Sequence, residues 1–238
     1  MIEIKSLYKS YPQRQGIFKK VNVPILKDIH LSIYDSETLA LVGESGSGKS
    51  TLSRLILGLE DFDSGTIERK GSEKESVVFQ DYTNSVNSHM TVQEIIQEPV
   101  IDQKKTRGDF EKILQEVQLP ASYLSRYPHL LSGGELQRVC IARAIIAEPD
   151  LIIFDEALSS LDISVQLELM DVLIDLKQKT SITYLFITHD LSSVTYLADR
   201  VAFMKDGELI EVRAVNDLGN LSTEYARELL TAAEMLLT

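Results

Sequence analysis

The amino-acid sequence predicts an α/β fold, a parallel-sheet core into which a helical lobe is inserted. Three observations carry that expectation. Gly43-Glu44-Ser45-Gly46-Ser47-Gly48-Lys49-Ser50 sits between a strand pattern and a helical pattern. Leu151-Ile152-Ile153-Phe154 is wholly apolar, as befits a central parallel strand covered on both faces. Residues 81 to about 130 change texture, to polar sequence with apolar positions at helical spacing.

The elements follow in chain order. Ile2–Leu7 alternates as a strand, with Ile2, Ile4 and Ser6 on one face. Residues 12–24, polar, basic and bounded by prolines, read as a loop or hairpin excursion, with Lys19-Lys20 as solvated loop charge. Leu31–Ile33 and Thr38–Val42 read as short strands, the second running into the glycine-rich loop. Leu52, Leu55, Ile56 and Leu59 share one face of a helix over Thr51–Leu59. Asp61–Gly65 is a turn, and the strand Val77–Phe79 ends at Gln80. Val92, Ile95 and Ile96 mark a helical turn or two, and Phe110, Ile113, Leu114 and Val117 an amphipathic helix. These read as an inserted helical subdomain; a long helical crossover of the same core is the plainer alternative. Beyond Leu151–Phe154, a helix over Ile163–Lys177 carries Leu169, Met170, Leu173 and Leu176. Ile182–Ile187 is a buried strand that leads to Thr188 and His189. Asp206-Gly207, between Val201–Met204 and Glu208–Ile210, signals a hairpin, and Tyr225–Leu237 an apolar-faced terminal helix.

With 238 residues the chain can bury one sizeable core. Thirty-six acidic residues against 24 basic ones give a formal charge of −12, which tells against wholesale binding to nucleic acid or anionic lipid, though not against a local basic patch. The one cysteine, Cys140, cannot form an intrachain disulfide and suits a reducing compartment; beside Val139, Ile141 and Ala144 it reads as a small buried hydrophobe. No run of about 18 apolar residues occurs to span a bilayer. The start, MIEIKSLYKSY, lacks the apolar segment of a secretory leader. The expectation is a cytosolic protein that reaches a membrane only by docking on another protein.

The chemistry concentrates at strand ends. Gly43-x-x-x-x-Gly48-Lys49-Ser50 matches the P-loop pattern: glycines let backbone N–H groups converge on phosphate oxygens, and the following helix points its positive end at the same anion. Lys49 would reach the β and γ phosphates, Ser50 would coordinate Mg²⁺, and Thr51 can add a phosphate contact. Asp155, ending the apolar strand, is placed to hold Mg²⁺, and the adjacent Glu156 to take a proton from an attacking water. Gln80 and His189 also end short strands, where a parallel sheet places its ligands; Gln80 could reach the metal or the water, His189 the γ-phosphate. A structural turn, a surface carboxylate or a surface histidine would be the ordinary role of such residues taken singly.

With these residues and with Leu131-Ser132-Gly133-Gly134-Glu135-Leu136-Gln137-Arg138, the chain resembles the nucleotide-binding subunits of ABC transporters over nearly its whole length. The resemblance implies a RecA-like P-loop NTPase core with an inserted α-helical subdomain and an N-terminal antiparallel β subdomain. Residues 1–80 and 146–238 would form the nucleotide-binding core with its β subdomain, and 81–145 the helical subdomain that carries the signature, all within one ABC ATPase domain. Gly43, Glu44, Ser45, Gly46, Ser47, Gly48, Lys49, Ser50 and Thr51 correspond to Walker A, and Tyr11 to an aromatic that stacks on adenine. Gln80 matches the Q-loop. Leu131, Ser132, Gly133, Gly134 and Glu135 match the signature, Ser160, Leu161 and Asp162 the D-loop, and His189 the switch histidine. The implied cofactors are ATP and Mg²⁺, with Ser50, Gln80 and Asp155 about the metal and Glu156, His189 and Gln80 in catalysis.

Glu135 stands where the signature usually has glutamine, and Ala157-Leu158 replace the usual Pro-Thr after the glutamate. The first departure, with Gln80-Asp81-Tyr82, Asn84-Ser85, Asn87, Met90-Thr91-Val92 and Glu98-Pro99, is similar to importers of dipeptides, oligopeptides and nickel. The resemblance implies a head-to-tail pair in which Ser132, Gly133 and Gly134 close over ATP on a second, different ATPase chain. Two integral membrane permeases and, indirectly, a solute-binding protein complete the expected assembly, at the cytoplasmic face of the membrane and without nucleic acid. Peptides, nickel or metal chelates are the expected cargo; an exporter or lipoprotein-release ATPase, or an ABC ATPase of DNA repair or translation, is the competing function.

Overall fold

The computed structural model describes residues 1–15, 19–71, 74–159 and 161–236. The chain divides into two compact units, Met1–Ser72 with Leu185–Thr238, and Glu73–Tyr184. In chain order the strands are β1 (Ile2–Gln15), β2 (Lys19–Ile33), β3 (Thr38–Val42), β4 (Ser64–Arg69), β5 (Glu75–Phe79), β6 (Leu151–Asp155), β7 (Thr183–Thr188), β8 (Arg200–Lys205) and β9 (Glu208–Ala214). The helices are α1 (Lys49–Ile56), α2 (Val92–Gln97), α3 (Arg107–Glu116), α4 (Gly133–Ile145), α5 (Ile163–Lys179), α6 (Leu191–Leu197) and α7 (Glu224–Leu236).

The first unit carries an antiparallel sheet in the order β2-β1-β4. The basic segment expected as a loop or hairpin is the continuation of a long hairpin, with Ser10 opposite Pro24 and Arg14 opposite Lys20. Residues 16–18, at its tip, lie outside the described residues. The alternation at the N-terminus breaks at Ser6, whose φ is 46, and the register shifts between Ile4 and Leu7. That bulge resets the pleat. Ile2 and Ile4 are buried as expected, Ser6 is exposed, and Leu7 takes the inner position.

Strands β3, β8 and β9 of this unit lie in the order β3-β8-β9. All five residues of β3 are buried, and β3 pairs with β8 in parallel from Leu39–Arg200 to Val42–Phe203. β8 returns antiparallel through Asp206 and Gly207, both at positive φ, 49 and 84. Ala40 and Val42 pack with Leu191, Val194, Val201, Phe203 and Ala226, joining β3, β8, α6 and α7 in one apolar cluster. Glu211 on β9 accepts from the amides of Ser222 (2.9 Å) and Thr223 (2.9 Å) just before α7. Burial alone would raise that carboxyl; the bonds from Ser222 and Thr223 outweigh it and hold it far below the usual range.

α1 is shorter than its periodicity implies. It ends at Ile56, so Leu59 lies past the helix and is 60% exposed, while Leu52, Leu55 and Ile56 are buried. Gly58, at φ 65, turns the chain out of the helix before Leu59 can complete the face.

The second unit holds the parallel pair β5-β6, in register from Glu75–Leu151 to Phe79–Asp155. Its helices include α2 to α5, and the apolar positions read from sequence are buried in each: Val92, Ile95 and Ile96; Phe110, Ile113 and Leu114; Leu169, Met170, Leu173 and Leu176. Phe154 meets Tyr184 edge to face at 5.3 Å, an arrangement worth about 1 kcal/mol. α2, α3 and α4 start alike. The backbone N–H of Thr91, Thr106 and Ser132 donates to the acid three residues on, Glu94, Asp109 and Glu135, each at 2.7 Å. Cys140 on α4 is buried, with Sγ 3.7 Å from Ser85 Oγ, and burial pushes its thiol up.

Candidate active site

The phosphate loop lies in the first unit, between β3 and α1. Glu44, Ser45 and Gly46 are exposed at its rim, whereas Ser47, Gly48, Lys49 and Thr51 are buried. Gly43 is needed for proximity: an added Cβ would sit 2.0 Å from the Met204 carbonyl oxygen. Gly48 is needed for conformation, with φ 106 as the N-cap of α1 and no side chain to cap the helix. The first-turn N–H groups are thereby left for an anion rather than for a capping oxygen. Lys49 Nζ donates to the Gly43 and Glu44 carbonyls at 2.8 and 2.9 Å, so its ammonium is held at the mouth of the loop. The described Ser47 hydroxyl is buried with no hydrogen-bond partner, a polar group awaiting one. Ser50 opens α1 next to Lys49.

Tyr11 lies in the same unit, on β1, and its hydroxyl donates to Glu60 Oε2. His189 follows β7 and is exposed. The turn that carries it is closed by the Asp190 N–H donating to Thr188 Oγ1 at 3.0 Å. Asp190 then caps α6, accepting from the amides of Ser192 (2.9 Å) and Ser193 (3.2 Å). Burial would raise the Asp190 carboxyl, and the donors on Ser193 and Ser192 outweigh it and hold it low. The anionic cap holds the backbone on the C-terminal side of His189.

The second unit carries the carboxylates. Asp155 is the last residue of β6, and Glu156 follows at φ 49, a left-handed backbone that few side-chain-bearing residues adopt. Such strain persists where surrounding structure imposes it. Three amide side chains surround the segment beyond Glu156. Gln137 Nε2 donates to the Ala157 carbonyl at 2.9 Å, and Gln166 Nε2 to the carbonyls of Leu158 (2.8 Å) and Leu161 (3.0 Å). Gln80 Nε2 makes a long 3.5 Å contact with Ser159 Oγ, which donates to the Glu156 carbonyl at 2.8 Å. Gln80 is thus brought to the Glu156 segment, as its position at a strand end predicts.

Ser132 is the N-cap of α4. Its hydroxyl accepts from the Glu135 amide at 3.3 Å. Glu135 is fixed by the Tyr123 hydroxyl at 2.6 Å; that bond and the one from the Ser132 backbone N–H hold its carboxyl below the usual range. Ser132, Gly133, Gly134 and Asp162 line a cavity of about 370 Å³ with Tyr82, whose hydroxyl would lie 2.6 Å from a Cβ on Gly133. Leu161 and Asp162 precede α5, with Asp162 its N-cap; Ser160 lies outside the described residues. Leu131 precedes Ser132 and is half-buried.

Periodicity and strand ends locate Lys49, Asp155, Glu156, Gln80 and His189. Gln137, Glu60 and Tyr225 bond to partners distant in sequence, Ala157, Tyr11 and Glu44, and no local pattern marks those pairings. Gln137 is fully buried, and the sequence signal that could have found it is its place within the Leu131–Arg138 string.

Proteins of known kind share this sequence and fold. The family model described as ABC transporter matches residues 26–159. The chain is 43% identical, over 97% of its length and 98% of the relative's, to the metal-staphylopine import system ATP-binding protein CntF of Staphylococcus aureus. It is 37% identical to the oligopeptide transport ATP-binding protein AmiF of Streptococcus pneumoniae, over 98% of this chain and 81% of that one. It is 36% identical to the nickel import ATP-binding protein NikE of Brucella suis, over 98% and 94%. In fold it is similar to the dimeric ATP-binding cassette MJ0796 solved with ADP and Pi, at a TM-score of 0.77 and 24% identity over 90% of this chain and 99% of that one.

Proposed function

The chain belongs to the ABC transporter family, and from that premise we propose that it is the ATP-binding and ATP-hydrolysing subunit of an importer for peptides, nickel or metal chelates. Its RecA-like P-loop core, helical subdomain and N-terminal β subdomain are those of an ABC ATPase. The observation that carries the reading is the phosphate loop itself: uncapped α1, Lys49 at its mouth, and a loop shape that Gly43 and Gly48 alone permit. Three relatives that match over nearly the whole chain are, by name, ATP-binding proteins of metal-staphylopine import, oligopeptide transport and nickel import.

In this reading Gly43 to Thr51 bind the triphosphate, with Lys49 exchanging two carbonyl partners for β- and γ-phosphate oxygens. Tyr11 stacks on adenine. Ser50, Asp155 and Gln80 suit Mg²⁺ by donor chemistry: a hydroxyl, one carboxylate and an amide oxygen are hard ligands that leave room for water and phosphate. When bound, that ion neutralises phosphate charge. Glu156 takes a proton from the attacking water as the bond to the γ-phosphorus forms and the bond to the ADP oxygen breaks, and His189 donates to the γ-phosphate.

Ser132, Gly133 and Gly134 serve the nucleotide of a second ABC ATPase in a head-to-tail pair, with Leu131 and Glu135 framing them and Ser160, Leu161 and Asp162 as the D-loop. No described helix is long and apolar enough to cross a membrane. In this reading two integral membrane permeases complete the transporter, with the chain at their cytoplasmic face. A solute-binding protein then supplies the cargo. The test is reconstitution with the neighbouring permease and ATPase subunits in proteoliposomes. Uptake of a radiolabelled peptide or metal chelate that requires internal ATP supports the reading; ATP-dependent efflux of cargo from the cytoplasmic side would replace it with an exporter.

A further inference from the structure

Glu60 lies past the end of α1, and three groups converge on its carboxylate. The Tyr11 hydroxyl donates to Oε2, Arg54 Nε stands 2.6 Å from Oε1, and Lys9 Nζ is 3.9 Å from Oε2. Lys9 Nζ also lies 5.0 Å from the centroid of the Tyr11 ring. The cluster is sheltered, with the Glu60 side chain 26% and the Lys9 side chain 13% exposed. The hydrogen bond from Tyr11, with Arg54 and Lys9 acting in the same direction, holds the Glu60 carboxyl below its usual range, so it is ionised at neutral pH.

The connectivity gives this cluster its meaning. Arg54 is in the last turn of α1, the helix that Lys49 opens. Tyr11 is on β1, a strand of a different sheet. Both belong to one compact unit, and Glu60 accepts a hydrogen bond from Tyr11 and forms an ion pair with Arg54. A tyrosine ring untethered at its hydroxyl samples several orientations about two χ angles; one whose hydroxyl is bonded to a fixed carboxylate loses most of that freedom before any ligand arrives.

We propose that Glu60 is a positioning residue for nucleotide recognition, holding the Tyr11 ring at a set attitude to α1 so that ring and glycine loop grip the two ends of one ATP. This rests on the reading of Tyr11 as the adenine platform. A ligand with a triphosphate and no base should not sense it.

Calorimetric titration of the full chain with MgATP and with inorganic Mg-tripolyphosphate separates the possibilities. Tyr11→Ala should weaken ATP and spare tripolyphosphate. Glu60→Ala should weaken ATP about ten-fold or more, the scale of one charge-assisted hydrogen bond, again sparing tripolyphosphate. Glu60→Gln, whose amide oxygen still accepts from the phenol, should recover most of the affinity. Tyr11→Phe and Glu60→Ala should be non-additive, since both remove the same bond. If Tyr11→Ala leaves the ratio of the two affinities at the wild-type value, the adenine reading fails and the proposal with it. If that ratio changes in Tyr11→Ala and not in Glu60→Ala, the proposal alone is overturned. Equal loss of both ligands in Glu60→Ala also overturns it, by showing that Glu60 merely supports α1.

Discussion

The Tyr225 hydroxyl accepts the Glu44 backbone N–H at 3.3 Å, so the terminal helix holds the rim of the phosphate loop. The same hydroxyl donates to the Met204 carbonyl at 3.3 Å, the oxygen against which Gly43 is packed. Lys205 Nζ lies 4.5 Å from the ring centroid and fixes the ring from β8. Tyr225→Phe keeps the ring and deletes both bonds. ATP affinity should fall about two- to ten-fold, the range of one or two neutral hydrogen bonds. Calorimetry on the purified chain measures it, and an unchanged dissociation constant would leave Tyr225 with a packing role only.

Gly43→Ala should be far more severe. A methyl group 2.0 Å from the Met204 carbonyl oxygen cannot be relieved by side-chain motion, because the obstacle is backbone. The loop or β8 must shift, and nucleotide binding should be lost while the far-UV circular dichroism stays near wild type. Full ATP binding by the variant would mean the loop tolerates displacement from β8.

Glu156→Gln should bind ATP as the parent does and hydrolyse it about 10²- to 10⁴-fold more slowly, since the amide cannot take a proton. Phosphate release by the assembled transporter is the measurement. An unchanged rate would remove Glu156 from the role of base.

Ser132→Arg probes the division of labour between paired subunits. It should leave ATP binding at this chain's own phosphate loop intact and suppress hydrolysis at the site on its partner. Photo-crosslinking with an azido-ATP reads both subunits in one assay; loss of labelling confined to this chain would contradict the shared site.

Glu211 supplies a pH prediction. Its carboxyl is held far below the usual range when folded, so its stabilisation is complete above the unfolded value, near 4.5, and drains away as the pH falls through the folded one. Glu211→Gln should cost about 1–3 kcal/mol at neutral pH by weakening the bonds to Ser222 and Thr223. The gap to wild type in denaturant melts should narrow progressively as the pH falls below about 4.5. A gap that is constant with pH would show that shape, and not charge, holds the start of α7.

Much of the fold was legible because its determinants are local. Strand β6 is a run of apolar residues, α3 repeats at helical spacing, and Asp206-Gly207 has a turn that only such residues favour. The reading failed where geometry overrode periodicity. Ser6 bulges and transfers the inner position to Leu7, and Leu59, in phase with Leu52 and Leu55, falls beyond a helix already ended. In the site, the residues proposed to act on nucleotide and metal lie in the glycine-rich loop or at strand ends, where spacing marks them. Those that hold them in place do not: Gln137 reaches 20 residues along the chain to Ala157, and Tyr225 reaches 181 to Glu44. Long-range bonds of that kind leave no periodic trace.

Cys140 gives the molecule an intrinsic clock. It is the sole thiol, lies 2% exposed on the helix that Ser132 caps, and packs against Ser85 and the Tyr82 carbonyl in the segment just after Gln80. A labelling reagent reaches so buried a thiol only through an opening of the structure around α4. The alkylation half-life, followed with and without nucleotide, therefore times the opening of this helix in the wild-type chain, with no engineered probe and no competing cysteine to subtract.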